Sequence, residues 1–195
     1  NLHSSLDSAN NRCYINNRNK EIIINVYKCV APASYFFKEP RKLRFILISA
    51  EGGESMNISK FTQKSVQAVQ DLEKVAYEYG NQEIEQEHLL YTLLTQEDSL
   101  ILKLIEKMEI NKDYFVDTVK KALDAKVKVS GGELRFGQYL NKALVNAEDE
   151  AKAMGDEYVS VEHLFLALLK YPSPSMKKIW SEFGITKERF LQALS

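Results

Sequence analysis

The chain has 195 residues, with 26 Lys and Arg against 27 Asp and Glu. That length holds one or two domains. A near-neutral chain lacks the basic patch that a phosphate backbone requires, and no apolar run approaches membrane-spanning length, so neither nucleic acid nor a membrane is expected as a partner.

Residues 1–55 read as foreign to the rest. They carry eight basic and five acidic residues, against eighteen and twenty-two in 56–195. They show no sustained period, only a short β-like run at Glu21 to Tyr27, so an irregular extension is expected. Cys13 and Cys29 both lie here, at a spacing that matches no common zinc or redox motif. A disulfide between them is open, but a cysteine-free remainder reads as cytoplasmic. The first residues have neither the basic start nor the apolar centre of a secretory leader. Glu51-Gly52-Gly53-Glu54 can be encoded by a purine-rich ribosome-binding site, and Met56 then stands where a start codon follows. The expectation is that 1–55 is translated upstream sequence. The alternative is a loosely folded natural extension.

From Phe61 onward the chain repeats itself. A shift of 75 positions lays Phe61 to Val119 on Phe136 to Leu194 without a gap. Gly80 meets Gly155, and Glu87-His88-Leu89 meets Glu162-His163-Leu164. A repeat of this kind is one supersecondary unit used twice. The expected fold is all-α: two tandem four-helix units, about 61–124 and 136–195, packed as a pseudo-twofold pair across a connector at about 125–135.

Within unit one, Ser65, Ala68, Leu72, Val75, Ala76 and Tyr79 fall on one helical stripe, predicting a helix over 62–79. Thr62 is placed to cap it and Gly80 to end it in a left-handed turn. The partner helix runs over 137–154 and stops at Gly155. Short bridges follow, each with one apolar plug, Ile84 or Val159. Second helices begin near Glu87 and Glu162. Third helices begin at Ser99 and Pro174, with Asp98 and Ser173 as caps. Fourth helices follow the capping residues Asn111 and Thr186. Lys126 to Gly132 is a polar connector.

His88 and His163 are the obvious candidates for metal chemistry. Each follows a Glu, but adjacent residues on a helix point about 100° apart, whereas helical metal sites use Glu-x-x-His. Both are therefore read as packed histidines hydrogen-bonded to backbone. A small helical metalloprotein using them is the competing class, tested by metal analysis. No nucleophile elbow, zinc motif, dinucleotide loop or Walker A pattern is present, so the chain is not expected to be an enzyme. Tyr77, Tyr79, Phe165 and Trp180 sit at helical spacing and read as core. Met154, Tyr158 and Phe165 are candidates to line an apolar peptide groove near the unit boundary.

Phe61-Thr62-x-Lys64 with Gly80-Asn81-Gln82-x-Ile84-x-x-Glu87-His88-Leu89-Leu90 resembles the N-terminal repeat of the Clp ATPases. Gly155-Asp156-Glu157-Tyr158-Val159-Ser160-Val161-Glu162-His163-Leu164 resembles its second copy. The resemblance spans Met56 to Ser195. Gly80-Asn81-Gln82, Gly155-Asp156-Glu157-Tyr158 and Val129-Ser130-Gly131-Gly132 are similar to the ClpB disaggregase branch more than to ClpC or ClpA. It implies an N-domain that engages unfolded or aggregated polypeptide, or adaptor proteins, and passes substrate to a hexameric ATPase ring. ATP and Mg would then belong to ATPase modules outside this chain. It further implies a groove between the repeats near Thr62, Asp156 and Glu162, joined here by Met154, Tyr158 and Phe165. Asn146 and Glu150 stand where many relatives have leucine. Two alternatives remain: a free-standing Clp-repeat adaptor or regulator, and the N-domain of a ClpC-type protease-associated unfoldase.

Overall fold

The computed structural model describes residues 58–129 and 133–195, and the backbone of three strands near the start of the chain. Strands β1 (His3–Asp7), β2 (Arg12–Asn17) and β3 (Lys20–Asn25) form an antiparallel sheet in that order, with Cys13 opposite Ile24. The β-like run expected at 21–27 overlaps β3 over 21–25, and its last two residues lie outside the described residues. The other two strands were not anticipated where an irregular tract was expected. Their Asn- and Ser-rich composition carries little strand preference. Cys29 and Met56 lie outside the described residues.

Eight helices follow a 3-10 turn at Ile58–Lys60. In unit one they are α1 (Gln63–Tyr79), α2 (Gln86–Thr95), α3 (Leu100–Lys107) and α4 (Lys112–Asp124). In unit two they are α5 (Gln138–Met154), α6 (Val161–Lys170), α7 (Pro174–Phe183) and α8 (Lys187–Leu194). The 75-residue shift superimposes the bounds of α1 on α5 and of α2 on α6. Repetition of sequence is thus repetition of structure.

The punctuation explains the bounds. Thr62, Asn111, Ser173 and Thr186 each accept a first-turn backbone N–H through the side chain. Gly80 (φ 71°) and Gly155 (φ 81°) close α1 and α5 in the left-handed conformation, where a Cβ is costly. One cap differs from expectation. Ser99 caps α3, and Asp98 before it takes a left-handed turn at φ 54°. Aspartate tolerates that conformation, and the hydroxyl of the next residue is then aimed at Leu102 N–H, 3.0 Å away.

The units interlock through their first residues. Phe61 bridges to Val159, and Phe136 pairs with Ile84 in a two-residue parallel pair between β4 (Glu83–Ile84) and β5 (Arg135–Phe136). Each unit's leading aromatic therefore seats against the other unit's bridge residue. Thr62 N–H donates to the Val159 carbonyl at 2.9 Å, and Gly137 N–H donates to the Ile84 carbonyl at 2.7 Å. These short pairs are a small departure from a wholly helical body.

One apolar core runs through both units. Phe61, Leu72, Ile84, Leu90, Phe115, Phe165 and Phe190 are fully buried in it. Phe165 stacks on Phe190 with centroids 4.4 Å apart and meets Trp180 edge-on at 5.3 Å. Phe165 is thus a core residue and does not line an open groove. Its position on the inward stripe of α6 decides this. Tyr77 departs the other way: it was expected in the core and is 65% exposed, one residue off the buried stripe of α1.

Candidate functional site

The bridges between the first two helices of each unit are where the polar candidates gather. In unit two the bridge runs from Gly155 to Ser160, and Val159 ties it to Thr62 of unit one. Thr62, Met154, Asp156, Tyr158 and Glu162 are therefore grouped around one junction. Met154 and Tyr158 are 40% and 41% exposed. They stand in the open because α5 has just ended at Gly155 and only Val159 turns inward. Thr62 is half-buried, with its hydroxyl 3.0 Å from Ser65 Oγ as part of the α1 cap. Glu162 is half-buried in the first turn of α6. Among the described residues it has no ion-pair partner.

The histidines organise both bridges. His88 Nδ1 accepts the Glu85 backbone N–H at 3.0 Å, and His163 Nδ1 accepts that of Ser160 at 3.0 Å. Each histidine sits at the third position of its helix and caps the turn before it. With Nδ1 accepting, the neutral ring carries its proton on Nε2. For His88 that proton faces Asn81 Oδ1 at 3.1 Å. For His163 it faces Asp156 Oδ2 at 3.1 Å, outside good hydrogen-bond alignment. Both rings are fully buried. Burial first, then the Lys126 charge, pushes His88 down to about 4. A backbone-bonded packed histidine is what the spacing indicated. The described residues hold no group of three or more His, Cys, Asp and Glu arranged to hold a metal ion.

The two bridges differ in one decisive respect. In unit one the connector lies on the bridge. Val129 N–H donates to the Gly80 carbonyl at 2.9 Å, and the Asn81 side-chain amide donates to the Val127 carbonyl at 3.1 Å. The Lys126 ammonium pairs with Glu87 at 2.9 Å and also with Glu85. Glu87 is only 1% exposed, so this lysine supplies the counter-charge that a buried carboxylate requires. Glu162, its counterpart in unit two, keeps no such cover among the described residues. Sequence reasoning drew its groove candidates mostly from unit two and missed that the connector lies on the unit-one bridge. The signal available was Lys126, at the end of α4.

Glu150 does not line an open groove. It is 2% exposed and accepts from Lys170 and Lys187, each at 2.7 Å. These lysines hold its carboxyl below the usual carboxylate range, although burial opposes them as the largest single effect. The trio joins α5, α6 and the start of α8. Asn146 is half-buried and donates to the Lys142 carbonyl at 2.7 Å.

The profile of the Clp repeat (R) N-terminal domain matches residues 60–183. The chain belongs to this family. Curated relatives include the chaperone protein ClpB of Nitratidesulfovibrio vulgaris, 37% identical over 145 residues, and that of Clostridium tetani, 39% identical over 144. Each alignment covers 71% of this chain and 17% of the relative, so the chain spans about a sixth of their length. Among solved structures, the Hsp104 N-terminal domain of Candida albicans aligns with a TM-score of 0.61 at 22% identity, over 70% of this chain and 90% of that one. A ClpV N-domain solved in complex with a VipB peptide aligns with a TM-score of 0.56 at 19% identity, over 76% and 92%. These likenesses give the fold: a helical Clp N-domain of the ClpB kind. No helix among the described residues is long and apolar enough to cross a membrane.

Proposed function

We propose that this domain is the substrate- or adaptor-binding N-domain of a ClpB-type disaggregase, and that it engages unfolded or aggregated polypeptide through the unit-two bridge. The observation that carries the reading is the pair of exposed apolar side chains on the unit-two bridge, Met154 and Tyr158, which stand beside exposed Asp156 and half-buried Glu162. Exposed apolar side chains rimmed by carboxylates suit weak, reversible capture of an extended chain. Weakness is expected, because a shallow face must overcome the ordering of a flexible segment. ATP and Mg belong to the ATPase modules of the whole protein, which would use the polypeptide delivered from this face. A peptide-bound relative with the same fold supports the reading without fixing the ligand here.

The test is binding of a fluorescent denatured protein, read by anisotropy. Replacing Glu162 by Ala should weaken binding while leaving the melting temperature nearly unchanged. If Glu162 only complements the α6 dipole, stability falls by roughly 0.3–1 kcal/mol and binding per folded molecule stays constant. The second outcome removes Glu162 from the site.

A further inference from the structure

The 75-residue shift lays the α1–α2 side of unit one on the α5–α6 side of unit two, and the two sides carry opposite charge. In unit one, the two helices flank an open cavity of about 670 Å³ that reaches Gln67 and Asp71 on α1 and Glu97 and Asp98 beyond α2. A second cavity of about 300 Å³ shares Asp71 and continues past Lys74 and Glu78. The linings hold four carboxylates, Asp71, Glu78, Glu97 and Asp98, against two ammonium groups, Lys64 and Lys74. Glu78 already pairs with Lys74 at 3.7 Å, and Asp98 with Lys103. That leaves Asp71, which accepts only the Gln67 amide at 2.7 Å, and exposed Glu97, which has no ion-pair partner among the described residues.

The matching side of unit two is basic. Lys142 stands at the place of Gln67, Asn146 at that of Asp71 and Lys170 at that of Thr95. The Lys142 and Lys170 ammonium groups lie 5.0 and 5.4 Å from the centre of the Tyr171 ring. Lys142 has no carboxylate partner among the described residues, and Lys170 shares the buried Glu150 carboxylate with Lys187. Three ammonium groups therefore face one carboxylate. Tyr139, one turn before Lys142 on α5, is 48% exposed, and its carbonyl is held by the Gln86 amide at 3.0 Å. It is an aromatic knob on a fixed ridge, the kind of residue that anchors protein contacts.

We propose that the α5–α6 ridge of one copy of this chain docks into the α1–α2 groove of a second copy. Tyr139 enters the larger cavity, and Lys142 and Lys170 meet Asp71 and Glu97. Opposite charge on two equivalent sides of one molecule is what a head-to-tail contact between copies requires. Such a contact is heterologous: each pair keeps one free groove and one free ridge, so further copies extend it into a ring or an open chain. Ion pairs this exposed contribute little each, so separate copies associate weakly. Copies held side by side by other parts of a larger assembly would meet at a far higher effective concentration. The proposal is independent of the polypeptide-binding reading, since it uses neither Met154, Tyr158 nor Glu162.

The test is self-association of the full chain, followed by sedimentation velocity. At low salt the sedimentation coefficient should rise with protein concentration, with a Kd on the order of 1 mM. The rise should vanish near about 0.5 M NaCl, where exposed charges are screened. Lys142→Glu and Glu97→Lys should each weaken association about tenfold, because a pair is lost and a repulsion takes its place. Mixed one to one, the two variants should associate again, since each keeps the side that the other has lost. Dilution of the 15N-labelled unaltered chain gives a readout that needs no variant. Amide shifts should move together at Gln67, Asp71 and Glu97 and at Tyr139, Lys142 and Lys170. No dependence on concentration, or shifts confined to one of these two groups, would overturn the proposal. So would loss of association in Lys142→Glu but not in Glu97→Lys, or failure of the mixture to recover it.

Discussion

Two buried polar residues set the response of this domain to acid. His88 has its folded value pushed down to about 4, against about 6.5 in an unfolded chain, chiefly by burial. The unfolded state therefore binds more protons between these values, and stability falls as pH drops through that window. The full contribution is present above pH 6.5, and about 3 kcal/mol is lost by pH 4. Urea midpoints between pH 7 and 4 should show this slope, and His88→Gln should flatten it. Glu150 acts in the same direction lower down, because its carboxyl is held below the ordinary range by Lys170 and Lys187. Glu150→Ala should destabilise by about 1 kcal/mol, since Lys170 and Lys187 are each more than 40% exposed and turn to water once their shared partner is gone. Glu150→Leu combined with Lys170→Met and Lys187→Met should recover most of that loss in the same melting assay. Failure of the triple variant to recover would show that the trio contributes more than a buried apolar patch of equal size.

At the scale of elements, the repeat made most of the architecture legible. The caps and the two glycine stops gave the bounds of α1 and α5 to within a residue, because each signal is local chemistry. Both glycines lack a close neighbour: a Cβ on Gly155 meets nothing within 4 Å, and one on Gly80 meets only Lys128 Cβ at 3.9 Å. Gly155→Ala and Gly80→Ala should each cost about 1 kcal/mol, from backbone conformation alone. Chemical denaturation of the two variants checks this, and a much larger loss in one would reveal packing that the open space does not explain. Contacts between units were not legible. Gln86 stands where unit two has Val161, yet it is fully buried and crosses between units. Its amide donates to the carbonyls of Tyr139 at 3.0 Å and Tyr171 at 2.8 Å, and its oxygen accepts the Ser173 N–H at 2.7 Å. Nothing in a periodic pattern announces a polar residue serving a distant turn. The same limit hid the connector on the unit-one bridge and placed Phe165 among groove candidates. In each case the deciding neighbour lies far away in sequence.

The two helical units are expected to unfold as one body, because neither owns a separate core. Each leading aromatic is seated by the other unit's bridge, and Phe115 of unit one stacks on Trp180 of unit two with centroids 6.5 Å apart. Arg189 adds a polar tie, donating from α8 to the Phe183 and Gly184 carbonyls that end α7 and to the Met108 carbonyl that ends α3. The single Trp therefore reports the junction between units, while far-UV circular dichroism is dominated by the eight helices of the described residues. Both signals should follow one urea transition with the same midpoint and slope, as a cooperative single core requires. Gln86→Val tests the coupling from the polar side. It leaves the Ser173 N–H without its acceptor and two carbonyls without their donor, a loss of roughly 2–3 kcal/mol. If the units are one cooperative body, the variant shifts the fluorescence and dichroism midpoints together. A fluorescence transition that moves ahead of the helical one would mean that the units part before they melt, and that the pairing of the two bridges is a docking of separately stable halves.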